Sequence, residues 1–83
     1  MASRVLYKAS VAADLKRVDK PSVRRIIEKL ERVLSVHPHA GIPLTGEFYG
    51  LFKFRVGDYR VSYAKSSDGV LVLRIGHRKD VYR

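Results

Sequence analysis

One short stretch sets the architecture of this sequence: Phe52-Lys53-Phe54-Arg55-Val56-Gly57-Asp58-Tyr59-Arg60-Val61-Ser62-Tyr63. Apolar and polar side chains alternate on both sides of Gly57-Asp58, as in two strands that each bury one face. A two-residue turn with glycine first predicts an antiparallel hairpin, in which Val56 pairs with Tyr59 and Arg55 pairs with Arg60. The aromatic and aliphatic residues then share one core face, and the basic residues share the opposite face.

The segment after this hairpin predicts a further strand of the same sheet. Residues 70–76 are apolar at nearly every position until Arg74, which is typical of a central strand. A two-residue turn at Asp68-Gly69 would pair Arg74 with Tyr63 in the core. A three-residue loop with Gly69 in the left-handed conformation instead pairs Tyr63 with Leu73. This register predicts Leu71, Leu73 and Ile75 in the core, and Arg74, Gly76 and Arg78 on the basic face.

The N-terminal half predicts one strand and then a helical hairpin. Residues 4–8 alternate as a short strand. The helical spacing of apolar residues from Val11 to Val18 predicts a first helix, with Ser10 as its N-cap. Asp19 is the expected cap of a second helix, with Pro21 in its first turn. The apolar stripe of that helix is Val23, Ile26, Ile27, Leu30, Val33 and Leu34.

Together these segments predict a single α+β domain over residues 1–83, with the element order β-α-α-β-β-β. The sheet is expected to be an antiparallel meander, with the helical hairpin packed on one face. The chain has no cysteine, so neither a disulfide nor a zinc–thiolate site supplements the core. No apolar run approaches the roughly 20 residues of a membrane span, and the N-terminus lacks the apolar run of a signal peptide. The expected location is therefore the cytoplasm.

Charge is the strongest compositional signal of the sequence. Seventeen Lys and Arg residues against eight Asp and Glu give a formal net charge of +9, which attracts RNA, DNA or an acidic protein. Two arginines that pair directly across strands repel each other, which indicates a site for an anion between them. Solvated faces normally mix the two signs of charge. The predicted basic face consists of Lys53, Arg55, Arg60, Arg74 and Arg78, with no carboxylate assigned to it.

Two motifs on this face resemble the RelE/ParE superfamily of toxins from bacterial and archaeal toxin–antitoxin pairs. They are residues 53–61 and residues 76–82, and the resemblance extends over the whole chain, including Leu44-Thr45-Gly46. For the RelE branch it implies cleavage of messenger RNA in the ribosomal A site. In that chemistry the ribose 2′-OH attacks the adjacent phosphate and leaves a 2′,3′-cyclic product. The resemblance implies no metal ion and no cofactor.

The resemblance also implies a role for each site residue. Lys53 and Arg55 match the two basic strand residues that include the general base, and Arg60 matches the arginine that stabilises phosphate charge. Arg78 matches the arginine that stabilises or protonates the leaving group, and Tyr82 matches the tyrosine that stacks on a base. Guanidinium forks suit phosphate oxygens, and an aromatic ring suits an unpaired base. The expected RNA contacts are Lys53, Arg55, Arg60, Arg74, Arg78 and Lys79.

One residue departs from the family pattern. Arg55 stands where the best-known member has a lysine, and an arginine is effectively never deprotonated. Either Lys53 acts as the base, or catalysis relies on orientation and charge alone. His77 is expected on the core side of its strand in a structural role, and Glu47 is a weaker candidate for a base at the rim of the site.

The expected partners follow from the same resemblance. They are an acidic, RelB-like antitoxin, messenger RNA on the ribosome, and operator DNA through the antitoxin only, with no membrane partner. Two alternative functions share the fold: a ParE-like inhibitor of DNA gyrase without nuclease activity, and a degenerate toxin that binds only its antitoxin. The complete basic set with Tyr82 favours the nuclease, because a gyrase inhibitor does not need these residues as a unit.

Overall fold

A computed structural model describes residues 4–77 as two helices and one five-stranded sheet. The elements are β1 (Arg4–Tyr7), α1 (Ala9–Leu15), α2 (Lys20–Leu34), β2 (Ile42–Pro43), a 3₁₀ turn (Gly46–Phe48), β3 (Leu51–Val56), β4 (Tyr59–Ser66) and β5 (Gly69–His77). The strand order is β1-β5-β4-β3-β2. The predicted α+β class and element order are confirmed, and the short edge strand β2 is an element that the sequence pattern did not predict.

The sheet is mixed. Strands β3, β4 and β5 form the predicted antiparallel meander. Strand β1 pairs in parallel with β5, which therefore lies between β1 and β4 as expected for its nearly continuous apolar sequence.

The hairpin between β3 and β4 has the predicted register. Val56 pairs with Tyr59, and Arg55 pairs with Arg60. Gly57 has a φ of 58°, which suits a glycine-first two-residue turn and strains other residues.

The turn between β4 and β5 differs from the prediction. Ser66 pairs with Gly69, so the turn contains two residues and not three. Gly69 has a φ of +149° and lies within the ladder, outside the left-handed helical conformation. A Cβ atom at this position would collide with the backbone of Arg4, its parallel partner in β1. Glycine is therefore needed here for the close approach of β1.

A β-bulge in β5 compensates for the shorter turn, so that the side chains beyond it return to the predicted faces of the sheet. Tyr63 pairs with Val72 and Ser62 pairs with Arg74, so Leu73 is the extra residue. Without the bulge, the two-residue turn would have directed Arg74 to the core face. The predicted pairing of Tyr63 with Leu73 is therefore wrong.

The bulge also changes which residues of β5 are buried. Val70 and Val72 are buried in place of the predicted Leu71 and Leu73, while Ile75 is buried as predicted.

Helix α2 supplies the helical side of the core. Asp19 caps it as predicted, because its carboxylate accepts a hydrogen bond from the Ser22 N–H at 3.1 Å, and a proline lies in the first turn. Within residues 4–77, neither helix is long and apolar enough to cross a membrane. The buried core consists of Val11, Ile26, Leu30, Leu34, Val56, Val61, Tyr63, Val70, Val72 and Ile75.

Helix α1 lies along the edge of β5, beyond the end of β1. The Lys8 N–H donates to the Val72 carbonyl at 2.9 Å, and the Ser10 hydroxyl donates to the carbonyl of the bulge residue Leu73 at 2.8 Å. The prediction of Ser10 as the N-cap is wrong, since only one residue separates β1 from α1 and the cap position falls on Lys8. The Ser10 hydroxyl instead satisfies a carbonyl that the bulge removes from the ladder.

Candidate nucleic-acid interface

The basic face lies on the centre of the sheet, opposite α2. Of the five residues predicted for it, Lys53, Arg55 and Arg60 alternate with core residues along β3 and β4, and the name basic face is kept below for these three. Arg55 and Arg60 are direct cross-strand partners, and no carboxylate shares their face within β3 and β4. A shallow pocket of about 180 Å³ is lined by Ile42, Lys53, Phe54, Arg55 and Arg60. The structure thus brings three of the predicted site residues together.

A larger cleft opens beside the basic face, between α1 and the C-terminal half of β5. This β5 cleft has a volume of about 560 Å³. Its lining residues are Asp14, Arg17, Val18, Tyr59, Arg60, Ser62, Arg74, Ile75, Gly76 and His77. Arg60 lines both the cleft and the shallow pocket, so the two concavities are adjacent.

Arg74 reaches the cleft in a fixed orientation. Its Nε donates to Asp14 Oδ2 at 2.9 Å, and its Nη2 donates to Asp14 Oδ1 at 3.0 Å. Asp14 Oδ2 also accepts the Ile75 N–H at 2.9 Å. The expectation that no carboxylate accompanies the basic residues is wrong at this position, because α1 brings Asp14 to the β5 edge.

The pKa values of this pair follow from its hydrogen bonds. Burial alone would raise the pKa of Asp14, but hydrogen bonds from Arg74 and the Ile75 N–H, together with attraction to Arg74 and Arg17, hold that pKa below its usual value. The same carboxylate raises the pKa of Arg74. Asp14 is therefore an anion and Arg74 a cation at neutral pH.

An aromatic pair forms another wall of the cleft. His77 and Tyr59 are cross-strand partners on the core side of the sheet, and their rings meet edge to face with centroids 5.4 Å apart. This position agrees with the predicted core-side placement of His77. Both rings line the β5 cleft, so they also present an aromatic surface to it.

The remaining predicted residues are Arg78, Lys79, Tyr82 and Glu47. Arg78, Lys79 and Tyr82 lie outside the described residues. Glu47 is exposed in the 3₁₀ turn and lines neither concavity. Within residues 4–77, no group of three or more His, Cys, Asp or Glu side chains is placed to hold a metal ion.

Asp14 and Arg17 were not among the site residues predicted from the sequence. Asp14 is 60 residues from Arg74 along the chain, and no local pattern links two residues at that separation. One signal does exist in retrospect. Asp14 is the single acidic residue among the first 18 residues of a basic chain, and it follows Val11 by three positions on the helix.

Comparison with known proteins agrees with this architecture. Residues 5–82 match the family model described as the ParE toxin of the type II toxin–antitoxin system parDE. The chain belongs to the RelE/ParE superfamily. It is 36% identical to the toxin RelE of Mycobacterium tuberculosis, over 95% of this chain and 84% of that relative. It is 26% identical to the toxin RelE3 of Methanocaldococcus jannaschii, over 95% of this chain and 94% of that relative.

A solved structure supports the same assignment for this RelE/ParE chain. The toxin–antitoxin complex RelBE2 of Mycobacterium tuberculosis contains a chain that matches with a TM-score of 0.86 and 29% identity, over 96% of this chain and 95% of that one. The protein is therefore a toxin of a type II toxin–antitoxin system, of the RelE family.

Proposed function

We propose that this toxin is a ribosome-dependent, cytoplasmic endoribonuclease that cleaves messenger RNA. The observation that carries the proposal is the direct pairing of Arg55 with Arg60, beside Lys53, on a face without a carboxylate in β3 and β4. Two guanidiniums at directly paired positions concentrate positive charge where an anion can bind. As a phosphodiester approaches a pentacovalent transition state, negative charge accumulates on its oxygens. The guanidiniums of Arg55 and Arg60 would stabilise that charge.

The proposed reaction is an internal transesterification. The 2′-oxygen attacks the adjacent phosphorus, the bond from phosphorus to the 5′-oxygen breaks, and the products end in a 2′,3′-cyclic phosphate and a 5′-hydroxyl. One proton leaves the 2′-hydroxyl and one reaches the departing 5′-oxygen. Arg60 stabilises the phosphate charge, and we assign Arg78 to the leaving group and Tyr82 to base stacking.

Lys53 is the proposed proton acceptor of this reaction. An arginine cannot release its proton under these conditions, which removes Arg55 and Arg60 from that role. Lys53 pairs with Ser62 and lines the shallow pocket with both arginines. Its amine therefore lies beside the groups that would hold the phosphate.

The proposed protein partner is an acidic, RelB-like antitoxin. The net charge of +9 favours fast, salt-sensitive association with an anionic chain. The structural relative in the RelBE2 complex is a toxin bound to its antitoxin. Operator DNA would contact this assembly through the antitoxin.

Purified ribosomes programmed with a defined messenger RNA test the activity. The wild-type toxin should cleave the message inside the A-site codon and leave a 2′,3′-cyclic phosphate. Arg60→Ala should lose on the order of 10²–10³ in cleavage rate, as is typical when one transition-state donor is removed. Arg25→Ala is the matched control, because Arg25 is exposed on α2 and lines neither concavity. Uncleaved message with the wild-type toxin, and inhibition of DNA gyrase in a supercoiling assay, would support the ParE-like alternative.

A further inference from the structure

We propose that the β5 cleft is a second phosphate-binding site, which holds the RNA backbone next to the cleaved bond through Arg74 and Arg17. Asp14 is the positioning residue that fixes Arg74 at this site. The assignment of RNA as the ligand rests on the proposed nuclease function. It adds a surface on α1 and the β5 edge to the basic face.

Arg74 has hydrogen-bonding capacity beyond its pair with Asp14. A guanidinium has five N–H donors, and the two bonds to Asp14 use one on Nε and one on Nη2. Three donors remain, and the side chain is 69% exposed. Arg74 can therefore bind a phosphate oxygen without breaking its pair with Asp14.

The Arg74 side chain is preorganised for ligand binding by its pair with Asp14. The Asp14 side chain is 12% exposed and is fixed by the backbone N–H of Ile75, so it is a rigid anchor for Arg74. A surface arginine without such an anchor loses rotamer entropy when it binds a ligand. The rotamer entropy of Arg74 is instead lost when the chain folds, before any ligand binds. The bulge at Leu73 directs Arg74 out of the core.

The described lining of the β5 cleft carries a net positive charge. Among residues 4–77, this lining contains three arginines, Arg17, Arg60 and Arg74, and one carboxylate, Asp14. The net positive charge of the lining selects an anion. The volume of about 560 Å³ lies within the range of small-ligand sites, and the Tyr59–His77 pair adds an aromatic wall suited to a nucleobase.

The β5 cleft is continuous with the basic face. Arg60 lines both the β5 cleft and the shallow pocket that contains Lys53 and Arg55. An RNA chain with one phosphate bound at Arg60 therefore continues directly into one of these two concavities. The larger cleft is the one that can accommodate the adjoining nucleotide.

Binding of an uncleavable RNA tests the cleft without any reaction. The probe is fluorescein-labelled 2′-O-methyl hexaadenylate, which has no free 2′-hydroxyl, and the readout is fluorescence anisotropy between 50 and 300 mM salt. Arg74→Gln and Arg17→Gln should each reduce the slope of log K against log salt by about 0.7, the value for one phosphate contact on single-stranded nucleic acid. If wild type and variant bind equally at 1 M salt, this difference in slope makes the variant bind about fivefold more weakly at 0.1 M salt. Arg25→Gln, which removes the same charge from α2, should leave the slope unchanged. Unchanged slopes for both cleft variants would overturn the proposal.

A double-mutant cycle tests the positioning role of Asp14. Asp14→Asn should lower kcat/KM on ribosome-bound message by up to about fivefold, the full value of the Arg74 contact. In an Arg74→Gln background the same change should cause no loss, because it then only removes a negative charge from the cleft. A purely structural role would cause equal losses in both backgrounds and would overturn this assignment.

The outcomes separate this inference from the proposed function. A wild-type toxin that cleaves message, with binding slopes unaffected by Arg17→Gln and Arg74→Gln, leaves the nuclease in place and overturns the cleft site. A wild-type toxin that does not cleave, with both slopes reduced, supports the cleft site and overturns the nuclease.

Discussion

Replacement of Asp14 offers a quantitative test of how α1 completes the edge of β5. Beyond β1, the N–H of Ile75 has the Asp14 carboxylate as its acceptor, and Ile75 is 2% exposed. Asp14→Ala removes that acceptor and leaves a part-buried donor without its side-chain partner. Asp14→Asn removes the same charge but keeps a side-chain oxygen that can accept the N–H.

The size of the difference follows from the burial of this N–H. An unsatisfied buried donor costs about 1–3 kcal/mol, and the better helix propensity of alanine recovers up to about 0.7 kcal/mol. We therefore expect Asp14→Ala to be less stable than Asp14→Asn by about 0.3–2.3 kcal/mol. In a domain of this size, the difference corresponds to roughly 1–18 °C in Tm.

Thermal and urea unfolding of both variants, followed by circular dichroism at neutral pH, measure this difference. Both variants lose the ion pair with Arg74, so that loss cancels in the comparison. An alanine variant as stable as the asparagine variant would show that the Ile75 N–H does not depend on Asp14, and the account of the β5 edge would be refuted.

Three further predictions concern single residues. Tyr63→Phe should lower the free energy of unfolding by about 1–3 kcal/mol and speed exchange of the Gly41 amide. The buried Tyr63 hydroxyl accepts the Gly41 N–H and donates to the Pro38 carbonyl, each at 2.8 Å. Native-state hydrogen exchange measures both effects. The stabilisation that the Asp14 carboxylate contributes should be fully present above its unfolded pKa of about 3.8. It should be lost as the pH falls through the lower pKa of the folded state. Urea unfolding in strong acid should therefore show that the wild type is no longer more stable than Asp14→Asn. Lys53→Arg should retain RNA binding but lose cleavage, since arginine keeps the charge and cannot accept a proton; a wild-type single-turnover rate and pH profile would make Lys53 only a phosphate contact.

The fold was predictable where local rules determine the register. Gly57-Asp58 fixes the pairing of Arg55 with Arg60, because the turn type and the alternation of side chains leave one arrangement that buries the aromatic residues. The cap at Asp19 was predictable for the same reason, since its hydrogen bond spans only three residues.

The β4–β5 register was predictable only beyond the bulge. A three-residue loop and a two-residue turn with a one-residue bulge place Arg74 on the same face, so parity alone does not distinguish them. The choice depends on β1, whose backbone approaches Gly69 and fixes the first residues of β5. That contact is long-range and has no local sequence signature.

The candidate site divides in the same way. The basic face lies on one hairpin and could be read from the alternation of β3 and β4. The β5 cleft needs α1 beside β5, and the one-residue connection that places it there is not visible in the hydrophobic pattern. The contact of Asp14 with Arg74, and the place of Arg17 beside it, therefore depend on a packing that local sequence does not encode.

Sequencing of messenger RNA 5′ ends after induction of the toxin in growing cells tests the central claim most directly. The wild-type chain should produce new 5′-hydroxyl ends inside codons of translated messages within minutes, and Arg60→Ala, expressed to the same level, should not. Intact messages in cells arrested by the wild-type chain, with accumulation of double-strand DNA breaks, would contradict the account and assign the toxin to gyrase.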